Sequence, residues 1–87
     1  MNEYIDKIIE SIFYLESIGS KKKNIIIRSS TVLATIIKNY YPLIDENDFK
    51  IYDVKVFFDD YQNHVTIYDK TKAYNNKDYI IKYNMPL

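Results

Sequence analysis

Residues 23–42, KNIIIRSSTVLATIIKNYYP, admit two readings, and the choice between them decides the fold. As one long helix, Ile25, Ile26, Ser29, Val32, Leu33, Ile36, Ile37 and Tyr40 would share a face. Against this, residues 24–28 are a dense β-branched run, which is stiff at χ1 and favours a strand. Lys21, Lys22 and Lys23 would also sit in the first turn of that helix and oppose its dipole. The favoured reading is a short strand at 24–28, then a helix over about 31–41 that Ser29 or Ser30 caps. Pro42 stops the helix, because it pushes Tyr41 out of the α region.

Upstream, residues 3–18 read as an amphipathic helix. Ile5, Ile8, Ile9, Ile12 and Leu15 recur at spacings of three and four. Gly19, the only glycine, suits the left-handed position that ends such a helix. Downstream, the period changes to two. In KIYDVKVFF (50–58), Tyr52, Val54, Val56 and Phe58 point one way, and Ile51, Asp53, Lys55 and Phe57 the other. DDYQN (59–63) has hairpin-turn chemistry, HVTIYD (64–69) reads as the returning strand, and DYIIKY (78–83) as a third. The expected fold class is α+β: two N-terminal helices packed on a three-stranded antiparallel β-meander, with 24–28 as a short extra strand. Eighty-seven residues predict a single domain, 1–87.

The composition excludes several chemistries. There is no cysteine, hence no disulfide, thiolate nucleophile or cysteine metal site. One glycine cannot build a glycine-rich phosphate loop. His64, the lone histidine, has no partners for a zinc site and no local support for a catalytic triad. The acidic clusters lack the central glycine and distal glutamate of a calcium loop. A protein without enzymatic activity or cofactor is expected. Charges interrupt the apolar residues of 1–18, so this segment does not read as a signal peptide, and an intracellular, cytoplasmic protein is the simplest expectation. Ile, Lys, Asn and Tyr fill about half the chain and Arg28 is the only arginine, a bias of AT-rich codons. It points to a low-GC genome: a Gram-positive bacterium, its phages or plasmids, or an archaeal virus.

The charges sum to zero but are segregated. Residues 1–18 carry a net −3, residues 19–42 a net +5 without one acid, residues 43–60 a net −4 and the remainder a net +2. Ten tyrosines are more than so small a core can hide with every hydroxyl satisfied. Exposed tyrosine is an interface residue. The leading expectation is therefore a small protein-binding module: a phage- or mobile-element-encoded inhibitor, of the anti-defence or anti-CRISPR kind, that blocks a host protein. Asp45, Glu46, Asp48, Asp59, Asp60 and Tyr61 would contact the partner, with the carboxylates mimicking nucleic acid.

The alternative assigns the working surface to the opposite charge. It is a nucleic-acid-binding protein, winged-helix-like, that uses the basic segments 21–28 and 70–82 through Lys21, Lys22, Lys23, Arg28, Lys70, Lys72 and Lys77. Ser29, Ser30 and the start of the second helix would join the anion site. The interleaved Tyr68, Tyr74, Tyr79 and Tyr83 suit stacking on single-stranded bases. A third expectation is a homo-oligomer in which the acidic first helix meets a neighbour's basic segment.

Overall fold

The triple isoleucine forms a strand, and that strand is the centre of the sheet. Strand β1, Ile25–Ser29, buries Ile25, Ile27 and Ser29 and turns Ile26 and Arg28 to the other side. The computed structural model describes residues 3–59 and 64–84. Within them, helix α1 (Glu3–Ser17) precedes β1 and helix α2 (Val32–Tyr40) follows it. Strands β2 (Lys50–Ile51), β3 (Val54–Phe58), β4 (His64–Asp69) and β5 (Ile80–Asn84) complete a mixed sheet in the order β2-β3-β1-β4-β5. The fold is α+β. No described helix is long and apolar enough to cross a membrane.

The expected three-stranded antiparallel meander is therefore replaced by a five-stranded mixed sheet. Strands β3 and β4 do not pair with each other but flank β1, in parallel (Ile27 opposite Val56) and antiparallel (Ile27 opposite Ile67) respectively. The expected turn at 59–63 lies, apart from Asp59, outside the described residues. The physical reason for the arrangement lies in β1 itself. A run of three β-branched residues leaves a sticky edge if only one side is paired, and the central position satisfies both of its edges.

A second departure concerns 50–58, expected as one strand. Tyr52 and Asp53 both have positive φ, 51° and 64°, so a two-residue turn of the I′ kind breaks the segment into the hairpin β2–β3. The turn shifts the alternation by one step. Ile51 is consequently buried opposite Val54, where simple alternation places it with Lys55 and Phe57.

Helix α1 ends as its sequence predicts. Gly19 sits at φ 106°, Ser20 N–H bonds the Leu15 carbonyl at 2.9 Å and Gly19 N–H bonds Glu16 at 3.1 Å. These are the paired bonds of a Schellman motif. The expected serine cap of α2 is not made. Ser29 is buried in β1, Thr31 makes no side-chain cap bond, and the Ser30 hydroxyl is buried without a partner. The first turn instead closes through Leu33 N–H to Ser30 and Ala34 N–H to Thr31. Past Tyr40, Tyr41 leaves the helical region ahead of Pro42.

Both helices cover one face of the sheet. Ile5, Ile8, Ile12 and Leu15 of α1 and Leu33 and Ile37 of α2 join Ile25, Ile27, Val54, Val56, Val65 and Ile67 in one core cluster. Each fully buried aliphatic side chain contributes roughly 1.5–3 kcal/mol. The opposite face of the sheet carries neither helix.

Candidate nucleic-acid interface

Alternation along four strands fixes what the uncovered face presents. One row across the sheet is Phe57, Arg28, Thr66 and Lys82. The next is Lys55, Ile26, Tyr68 and Ile80. His64 and Asn84 stand opposite each other at the end of β4 and β5. Within these four strands, no carboxylate occupies a position on this face. The residues form a connected strip. Arg28 Nε donates to the Tyr68 hydroxyl at 2.9 Å, while its guanidinium lies 5.4 Å from the Phe57 ring centroid and Lys55 Nζ lies 5.3 Å from it. Phe57 and Tyr68 remain partly exposed.

At one end the strip opens into a cleft of about 340 Å³, lined by Lys22, Lys23, Ile25, Ile26, Asp53, Lys55, Phe57 and Lys70. Four lysines and one aspartate are among these residues. The lysines converge from three distant places in the sequence. Lys22 and Lys23 lie in a 3-10 turn, Lys22–Asn24, that leads into β1. Lys70 follows β4, where its N–H bonds the Asn24 carbonyl at 2.8 Å. Lys55 comes from β3 through the parallel pairing Ile26 to Lys55. The turn Tyr52–Asp53 closes the rim, and Lys22 Nζ sits 3.5 Å above the Tyr52 ring.

A buried carboxylate holds this junction together. Asp69 is fully buried at the end of β4. Its Oδ2 accepts from the Ser20 hydroxyl at 2.7 Å, and its Oδ1 accepts from Thr71 N–H at 2.9 Å and Thr71 Oγ1 at 2.6 Å. Burial pushes its pKa up, but the hydrogen bonds from Ser20 and Thr71 and the nearby Lys72 charge outweigh this, and the carboxyl sits below its ordinary range. The bond to Ser20 ties the exit of α1 to the exit of β4, which sets the Lys22–Lys23 turn beside Lys70.

The expected basic residues divide. Lys22, Lys23 and Lys70 meet in the cleft, and Arg28 lies on the adjoining face. Lys72 is used elsewhere: its Nζ donates to the Gly19 carbonyl at 3.2 Å, at the end of α1. Lys21 and Lys77 are exposed but do not line the cleft. Ser29 and Ser30, expected to join an anion site, are buried. Lys55 and Phe57 were missed because a plain meander keeps β3 away from 21–28. Their shared side of the 50–58 segment was the available signal.

The acidic residues are drawn into local structure. Glu46 forms an ion pair with Lys38, Asp48 lies 3.4 Å from Lys50, and Asp45 Oδ1 accepts from Asn47 N–H at 2.9 Å. Such exposed pairs contribute little, roughly 0–1 kcal/mol. They do lower the net charge of the loop. Asp59 follows β3, with its N–H on the Ser29 carbonyl, and Asp60 and Tyr61 lie outside the described residues. Comparison of the chain with protein-family models, with curated proteins and with solved structures finds no match.

Proposed function

We propose that this protein is a small, non-catalytic nucleic-acid-binding module whose working surface is the uncovered face of the sheet. The observation that carries this reading is the convergence of Lys22, Lys23, Lys55 and Lys70 around one cleft beside a strip of Arg28, Phe57 and Tyr68. A zero net charge does not oppose it, because seven of the twelve acids lie on α1 and in the 45–48 loop, and β1, β3, β4 and β5 place no carboxylate on this face. Lysine ammonium groups meet phosphates as point charges and release counterions.

This reading places the contact on the sheet face and not on a winged-helix-like recognition helix. α1 exposes Glu3 and Glu10 beside Lys7, and the Lys38 ammonium of α2 is paired with Glu46. Neither helix offers a basic face to a groove. Electrophoretic shift or anisotropy assays at low salt test the proposal. Four lysines on phosphates give a slope of log affinity against log salt of about −3 to −4. Reversal of Lys22, Lys23 and Lys70 to Glu should abolish the shift, and binding unchanged by that reversal overturns the assignment.

The inhibitor reading keeps one observation in its favour. Leu43 is 100% exposed on an apolar ledge with Tyr40, Tyr41 and Ile44, next to the acidic loop. Under that reading a host protein is captured through Leu43, Asp45, Glu46 and Asp48. Reversal of the three acids would then release it while nucleic-acid binding is untouched.

A further inference from the structure

We propose that the ligand of the sheet face is a single strand, its bases stacked on Phe57 and Tyr68 and its phosphates held by the lysine cleft. This deepens the nucleic-acid reading above and rests on it. Three observations carry it. First, the surface is an extended sheet, and the molecule measures 34 × 24 × 24 Å, so this face is too broad to enter a duplex major groove about 12 Å wide. A helix could enter, but neither helix has a basic exposed face. Second, Phe57 and Tyr68 stand on the two strands that flank β1, in adjacent rows. Strand spacing puts them about 12 Å apart. That separation accommodates two bases on two rings, which requires bases freed from a duplex stack. Third, Arg28 lies between the rings, hydrogen-bonded to one and over the other, where its guanidinium plane extends the stacking strip and adds charge. The cleft lies at the Lys55–Ile26–Tyr68 end of the strip with Phe57 on its wall, so the chain enters phosphate-first at Lys22, Lys23, Lys55 and Lys70 and runs past the rings toward the row of Arg28, Thr66 and Lys82.

Fluorescence anisotropy on the full chain tests this with four labelled probes at 50 mM salt, as flagged by the steep salt dependence of such contacts: about twelve nucleotides of oligo-dT, the same length of oligo-U, and a mixed-sequence DNA duplex and RNA duplex of that length. Single strands should bind about tenfold or more tightly than either duplex, and the two single-strand arms separate DNA from RNA as the source. Phe57→Leu and Tyr68→Leu keep apolar bulk but remove the ring. Each should weaken single-strand binding about tenfold and leave the salt slope unchanged. Lys22→Glu with Lys70→Glu should flatten that slope. Thermal melts of each variant identify any that fail to fold, and Phe57→Tyr, which keeps a ring, should restore binding. Equal or tighter binding of duplex, or unaltered binding by both leucine variants, overturns the single-strand inference while leaving the nucleic-acid reading standing. Absence of binding to all four probes overturns that reading itself.

Discussion

Ile26 and Ile27 are neighbours in sequence but face opposite sides of the sheet, and their substitution by alanine should have very different costs. Ile27 is fully buried in the central strand, between Val56 and Ile67 and beneath the helices. Ile27→Ala deletes three carbon groups, worth about 2.4 kcal/mol at roughly 0.8 kcal/mol each. The cavity left in a packed core raises the loss to about 3–4 kcal/mol. At roughly 4–8 °C per kcal/mol for a domain of this size, the melting temperature should fall by about 12–32 °C. A domain of 87 residues has about 4–13 kcal/mol in all, so the loss is a large share of the total. Ile26→Ala, on the uncovered face, should cost under about 1 kcal/mol. Urea unfolding followed by circular dichroism gives both values. A long helix through 24–41 predicts the reverse order, since Ile26 and not Ile27 would lie on its buried face. Ile26→Ala matching or exceeding Ile27→Ala therefore refutes the strand.

Further predictions concern the junction and the turns. The Asp69 carboxyl is held below its ordinary range, so its contribution is complete above about pH 4 and is lost as pH falls through the folded-state value. Asp69→Asn should lose stability at neutral pH and show a shallower decline under acid than the parent, measured by urea midpoints at pH 3 to 6. Ser30→Ala removes a buried hydroxyl that has no partner and should stabilise the fold by about 1 kcal/mol, seen as a raised urea midpoint at constant slope. Asp53→Gly relieves a positive φ in the β2–β3 turn and should raise stability by roughly 0.5 kcal/mol. The same change removes the cleft's carboxylate, so nucleic-acid affinity should rise with it.

Local rules identified the elements, and long-range pairing escaped them. The 3.6 periodicity of Ile5 through Leu15 and the lone glycine gave α1 and its end. The strand boundaries of β4 match the quoted segment residue for residue. What could not be read was which strand lies beside which. An antiparallel hairpin is the default for two alternating runs joined by five residues, and nothing between 58 and 64 announces that β1 intervenes. The I′ turn was hidden for a different reason: Tyr52–Asp53 lacks the asparagine or glycine that such turns favour, so a strained pair passed for continuous strand. The part of the candidate cleft built from Lys22, Lys23 and Lys70 was legible as the two basic segments. The other contributions, Lys55 and Phe57, depend on the parallel pairing and were not.

The position of β1 has a consequence for synthesis. During synthesis both of its hydrogen-bonding neighbours, Val54–Phe58 and His64–Asp69, emerge about thirty to forty residues after the strand itself. Until then the nascent chain carries three unshielded isoleucines with two open edges, a template for association between chains. Completion is governed by distant partners arriving together, so refolding should be slow for so short a polypeptide and sensitive to protein concentration.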